Sequence, residues 1–326
     1  MNVVATAQRL ADEVLFAAAL QTDAADTLPA ALLDALAAER LYGIAGPASA
    51  GGLDADFPTV ARVWEALSSG CLTTAFVWGQ HVGATVAAAH SENEAVRARL
   101  PELCSGAQRA GLALGGALPG RPRLLARETA DGWLFDGASP FVSGWERIDV
   151  VHTAARTEDG RLVWALVDAV ENDTLETERL SLGALNATAT VRATFRAHPV
   201  DAERVTSVSP YAEGRTPPEV LRLHAAFALG VASRCCRLLG PSPLDLELAD
   251  CRTELDRLDP ETIETARAAA GELALRASAA LMTARGSASL LLGDHAQRLA
   301  REALFVLVYA LRPGSRDALL GRLDAA

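Results

Sequence analysis

The chain has 326 residues, half of them hydrophobic and 22% charged, which is ample material for a packed core and excludes global disorder. With 41 acidic residues against 30 basic ones the formal net charge is -11, so the basic footprint that nucleic acid requires is missing. All the basic residues are arginines, which excludes a lysine Schiff base or a Walker lysine.

The length suits about two domains at ~150 residues each. Five cysteines, odd in number and without paired metal spacing, read as free thiols of a reducing cytoplasm. No basic stretch followed by an apolar run opens the chain, so no secretory signal is expected. No charge lies between Glu65 and Glu92, but Ser68, Ser69, Gln80 and His81 interrupt that stretch, which predicts a buried helix pair and not a membrane span.

Hydrophobic period divides the chain into three blocks, expected as domains over 1–108, 109–205 and 216–326. In the first, Val4, Ala7, Ala11, Val14, Leu15 and Ala18 form a helical stripe. Thr27 and Pro29 open a second helix that closes at Gly43, and Asp56 with Pro58 opens a third. Ser91 and Glu94 read as the capping box of a short helix ending before Pro101. From Arg109 to Val205 the period becomes two. Short strands are predicted at Trp133–Gly137, Ile148–Ala155, Leu162–Val167 and Val191–Ala197, as in a small antiparallel barrel or sandwich. The helical period then returns, from Thr216-Pro217 to Gly240-Pro241, from Asp259-Pro260 to Arg285, and from Asp294 to a break at Pro313. Segregated strands and helices make the fold class α+β.

No Walker loop, G-x-G-x-x-G, G-x-S-x-G or H-E-x-x-H occurs. The six histidines are scattered, and His81 reads as a satisfied buried ring. Asp245, Glu247, Asp250 and Glu254 read as a solvated helix face, with no metal site expected. Cys235 and Cys236 diverge by about 100° on a helix and read as core-side residues. Two segments hold the candidate chemistry. Leu114-Gly115-Gly116 ends the first strand, where glycines allow either a close ligand approach or a plain β-bulge. In Phe141-Val-Ser-Gly-Trp145 alternation places Phe141, Ser143 and Trp145 on one strand face, either a platform for a flat ring or a core strip.

Taken collinearly, these pieces resemble the acyl-CoA dehydrogenase family of flavoproteins. Leu28–Gly52 is similar to the family's early helix and Gly-rich loop, Gly132–Arg156 to its central strands, and Leu180–Val205 to the close of its β-domain. His295–Phe305 resembles its late Glu-Arg and Arg-Asp-Ala stretch, with Arg298 and Arg301 as structural arginines. The resemblance implies a helical N-terminal domain, a middle β-barrel and a C-terminal bundle, with FAD between barrel and bundle. It implies an acyl-CoA or other acyl thioester as substrate, and a homo- or hetero-oligomer of such chains. It assigns Phe141 and Ser143 to the flavin's stacked and reactive sides, and Leu114, Gly115 and Gly116 to its pyrimidine end.

The departures are equally specific. Gly115-Gly116-Ala117 replaces Thr-Glu-Pro and Gly120-Arg121-Pro122 replaces Gly-Ser-Asp, which removes two hydroxyls. Leu239-Gly240 runs directly into Pro241–Asp245, without the Arg-x-x-Phe-Gly segment that grips the diphosphate. Tyr309-Ala310-Leu311-Arg312 stands where many members read Tyr-Glu-Gly-Thr, so the usual catalytic Glu is absent. The alternative base position, counted back from Gly230, falls on Val220, which makes its neighbour Glu219 the candidate base. Two further readings follow: a non-catalytic subunit paired with an intact paralogue, and a flavin monooxygenase on the same fold.

Overall fold

Ala7, Ala11, Leu15 and Ala19 are all fully buried, at strict intervals of four. An α-helix advances about 100° per residue, so such a stripe drifts by about 40° at each step unless a wider turn resets it. The protein, described by a computed structural model over residues 2–214 and 216–324, supplies that turn. Helices α1 (Val3–Leu10) and α2 (Phe16–Asp23) are continuous through a π turn at Ala11–Leu15. The turn leaves Val14 and Ala18, expected on the buried stripe, only half-buried.

Helix α3 (Ala30–Ala38) stops short of the expected Gly43, because Arg40 turns left-handed (φ 61°) ahead of a 3-10 turn at Leu41–Gly43. Helix α4 (Phe57–Gly70) begins as predicted, with Asp56 Oδ1 accepting the Thr59 N–H at 3.0 Å. It forms the expected buried pair with α5 (Leu72–Ala89). Helix α6 (Glu94–Arg97) is capped by Asn93 and not by Ser91. The Ser91 hydroxyl is buried and instead donates to the Thr206 carbonyl at 2.7 Å. Helix α7 (Leu100–Ser105) completes the block.

The strands are β1 (Ala110–Ala113), β2 (Leu124–Thr129), β3 (Gly132–Val142), β4 (Val150–Arg156), β5 (Arg161–Asp168), β6 (Leu175–Arg179), β7 (Val191–Asp201) and β8 (Val205–Pro210). They form one sheet in the order β6-β7-β3-β2-β4-β5-β8, with β1 beside β4. The expectation of a purely antiparallel arrangement is corrected here. β1 and β2 both pair with β4 in parallel, because the β2–β3 hairpin intervenes and brings the chain back in the same direction. The last strand runs past Val205 to Pro210.

The C-terminal helices are α8 (Pro218–Leu239), α9 (Pro243–Asp256), α10 (Ile263–Arg285), α11 (His295–Val308) and α12 (Pro313–Asp324). Pro313, read as a breaker, opens α12, where its missing N–H is no loss. The order helices, sheet, helices gives the predicted α+β architecture. Helices from both ends share one core that includes Leu33, Trp78, Phe227 and Leu299, while Phe135, Val163 and Phe195 belong to a separate core in the sheet. No helix among the described residues is long and apolar enough to cross a membrane.

Candidate functional site

The end of β3 departs from regular strand geometry. Its pairing with β7 slips between Ser139 and Val142, and Phe141 inside the slip has φ 56°. A phenylalanine held in the left-handed region is strained, and this one is 66% exposed. The same kink corrects the expected shared face: Phe141 projects outward, whereas Ser143 turns inward and is buried. Ser143 Oγ lies 2.8 Å from Thr190 Oγ1, which lies 2.7 Å from Thr188 Oγ1, which donates to the Leu185 carbonyl at 2.8 Å. Each hydroxyl has one proton, so the last bond fixes the direction of the others: Thr190 donates to Thr188, and Ser143 donates to Thr190. Ser143 is left with acceptor lone pairs only. Leu185 (φ 58°) and Ala189 (φ 51°) are left-handed too, and the Gly144 N–H donates to the Thr188 carbonyl at 2.6 Å. Three strained residues thus surround one buried hydroxyl chain.

The second predicted segment has a structural explanation. Leu114, Gly115 and Gly116 follow β1, and the Gly115 N–H donates to Ser139 Oγ at 3.1 Å while the Gly116 N–H donates to the Ala154 carbonyl at 2.8 Å. A Cβ on Gly115 would stand 2.6 Å from the Ala138 carbonyl oxygen, and one on Gly116 2.5 Å from Ala155 Cα. The close approach is therefore to the chain's own sheet, and both amides are taken. Arg156, which sequence reasoning missed, holds this loop. It donates to the carbonyls of Gly116, Leu118 and Gly120 at 2.7–3.0 Å, and its guanidinium lies 3.3 Å from the Tyr211 ring centre. Its one sequence signal was a lone charge closing a strand that is buried throughout.

Glu219 lies in the first turn of α8 and is exposed, as is Val220 beside it. The link from α8 to α9 is short: Gly240 ends one helix, and Ser242 with Asp245 caps the next in a reciprocal box. An open cavity of about 490 Å³ borders the Ala189 loop, lined by Trp145, Glu146, Glu171, Thr177, Arg179, Ala189 and Val191. Its two carboxylates make it a poor phosphate site. His81 is a satisfied core histidine, as expected. Its Nδ1 accepts the Ala110 N–H at 3.0 Å, which places the ring proton on Nε2, donated to the Leu103 carbonyl at 3.0 Å. Burial holds it neutral, with its pKa lowered to about 4. Among the described residues no cluster of three or more His, Cys, Asp or Glu could hold a metal ion.

Residues 2–107 match the family model of the acyl-CoA dehydrogenase N-terminal domain. A search of the curated proteins returns no match. Among solved structures, the glutaryl-CoA complex of glutaryl-coenzyme A dehydrogenase is 15% identical with a TM-score of 0.85, covering 99% of this chain and 95% of that one. Glutaryl-CoA dehydrogenase from Mycobacterium smegmatis in complex with FADH2 is 17% identical at TM-score 0.79, covering 99% and 94%. Dibenzothiophene monooxygenase from Paenibacillus sp. A11-2 is 16% identical, also at 0.79, covering 99% and 97%. At such identities these likenesses carry the fold alone. The N-terminal helices thus match the acyl-CoA dehydrogenase N-terminal domain, and the whole chain has the fold of glutaryl-coenzyme A dehydrogenase.

Proposed function

We propose that the protein is a cytoplasmic, flavin-dependent oxidoreductase of acyl-CoA dehydrogenase type that acts on an acyl thioester and uses FAD. The observation that carries this reading is Phe141, an exposed aromatic ring held out by strained backbone beside a buried hydroxyl. Strain of this kind is retained where the surroundings enforce it, and functional sites are where it collects. The residues fit a flat ring in part. Phe141 offers an exposed stacking face and Ser143, on the inner side, spare acceptor lone pairs, while Gly115 and Gly116, after Leu114, are buried against the sheet with both amides spent. A flavin bound there supplies two-electron acceptance. Glu219 is the base of this reading; because it is exposed, the bound acyl chain must supply the desolvation that raises its basicity.

The test is spectroscopic. The purified protein, titrated with FAD and with FMN, is expected to take up FAD and to bleach on addition of an acyl-CoA. Glu219→Gln is expected to abolish bleaching and keep the flavin bound. A chain that binds neither flavin ends the reading.

A second reading, a non-catalytic subunit that completes an intact related chain, draws on different observations. The two loop amides are spent internally, and Leu290, Leu291 and Leu292 stand exposed in a row between α10 and α11. Three adjacent exposed leucines are the kind of apolar surface a partner covers. A colourless protein that forms a stable complex with an intact chain of this family would favour it.

A further inference from the structure

Where α4, α8 and α9 meet, the helical core encloses more positive charge than negative. Arg222 of α8 is fully buried, and its Nε donates to Asp256 Oδ1 at 2.7 Å. Asp256 Oδ2 accepts from Arg62 of α4 at 2.6 Å. Glu65, also of α4 and only 7% exposed, accepts through Oε1 from Arg252 of α9, whose Nε stands at 3.0 Å. The other oxygen, Oε2, lies 3.3 Å from the same Nε, 3.7 Å from Arg222 Nη2 and 3.8 Å from Arg62 Nη1. The last two are ion-pair contacts, too long for hydrogen bonds.

Three guanidinium groups thus face two carboxylates, an excess of one positive charge. They also carry more N–H donors than two carboxylates accept. The deficit falls on Arg222: its Nη1 and Nη2 are both buried, and neither has a hydrogen-bond partner among the described residues. A buried donor left unsatisfied is unfavourable, and an uncompensated buried charge more so. The neighbouring groups do not supply the balance. Burial holds the Cys251 thiol neutral, its pKa pushed up to about 11, and Glu254 is engaged by Arg257. Arg322, which Cys251 also feels, pairs with Glu272.

We propose that Arg222, Arg62 and Arg252 hold a small monovalent anion of the halide class. One added negative charge balances the excess, and the ion accepts from the free Nη groups of Arg222. Arg222 is the floor of the site, while the side chains of Arg62 and Asp256, each 38% exposed, form its rim. An ion reaching a floor closed to solvent sheds its water, which a doubly charged sulfate or phosphate does at far higher cost. The anion joins a helix of the first block to two of the last. Because it binds only the folded chain, it stabilises that joint in proportion to its concentration. The site needs no flavin and does not rest on the functional reading above.

Thermal unfolding of the full chain in sodium chloride and in sodium gluconate, at equal ionic strength, tests this, with the chlorine NMR linewidth as a second readout. Gluconate carries the same charge but is too bulky for an enclosed site. The melting temperature is expected to be at least about 2 °C higher in chloride, and the chloride resonance to broaden when protein is added. Arg222→Met removes the excess charge while Asp256 keeps Arg62 and Glu65 keeps Arg252, so the variant is expected to fold and to lose both effects. Arg62→Gln alters a partly exposed residue and keeps the test open if the first variant fails to fold; it is expected to lose at least about half of the shift. Arg127→Gln removes the same charge from an exposed position on β2 and is expected to keep both effects. Equal melting temperatures in the two salts, an unbroadened resonance, full retention of the effects in a folded Arg222→Met or Arg62→Gln, or their loss in Arg127→Gln would each overturn the site.

Discussion

Phe141 carries two opposed demands on a single residue. Its left-handed backbone costs about 1–2 kcal/mol for an L side chain, and its exposed ring recovers little of that by burial. Glycine accepts the same φ freely but adds about 1 kcal/mol of backbone entropy to be lost on folding. Phe141→Gly is therefore expected to leave the melting temperature unchanged or raised, where a strand-interior Phe→Gly would lower it, and to weaken flavin binding at least about tenfold. A large fall in melting temperature would show that the ring is held for packing instead. His81 makes the opposite case, a polar residue wholly committed to structure. Because its Nδ1 accepts a backbone N–H, a second ring proton would face a donor. Its pKa is lowered to about 4 in the folded chain, against about 6.5 unfolded. Between those values the unfolded chain binds the extra proton, so stability falls as pH drops from 6.5 to 4, by on the order of 3 kcal/mol for this ring. Urea unfolding across that window should show the loss, with a pH slope shallower by up to about 1.4 kcal/mol per unit in His81→Leu. An identical slope in the variant would refute the assignment.

Between elements, α4 and α8 cross closely at Gly230. A Cβ there would stand 2.5 Å from Ser68 Cβ, 2.7 Å from the Glu65 carbonyl oxygen and 2.9 Å from the Ser69 nitrogen. Helix propensity alone favours Gly230→Ala by about 1 kcal/mol. Two of the three neighbours are backbone and cannot rotate away, so overpacking is expected to win and the variant to lose about 1–3 kcal/mol in urea unfolding. A gain would mean the crossing has slack. Elements bounded by local chemistry were legible in the sequence. Asp56 and Pro58 open α4, Gly240 closes α8, and strands β4 and β5 lie within a residue or two of where they were expected. Features that depend on distant partners were not. The π turn at Ala11 serves a crossing with α4 near Gly70, and the parallel pairing of β1 with β4 depends on a hairpin between them. The site divided in the same way. Phe141 was singled out by type and spacing, but its strained φ, and hence its exposure, arises from a slip against β7. Arg156 acts on a loop about 40 residues earlier in the chain, across the sheet, and no local pattern marks that.

At the scale of the whole molecule, the helices of the two chain ends are less separate than their sequence positions imply. Cys71 follows α4 and Cys235 lies in α8, yet both belong to the same core cluster, together with Cys236 and Cys251. That core is closed by ion pairs spanning the chain, Arg234 with Asp12 and Arg222 with Asp256 and Glu65 among them. Breaking either end should then open both. The thiols report this directly. All four are buried, and burial raises each above the ordinary thiol range, Cys236 and Cys251 to about 11. A thiol at that pKa and without solvent access offers almost no thiolate to an alkylating reagent at pH 8. In the native protein these four are therefore expected to stay unmodified while a free cysteine reacts to completion. In rising urea, Cys71 from the first block and Cys235, Cys236 and Cys251 from the last are expected to become reactive at one common midpoint, coincident with the loss of helical circular dichroism. Peptide mapping that finds Cys71 labelled at clearly lower urea than Cys235 would divide the helical core into two units and remove the basis for treating it as one.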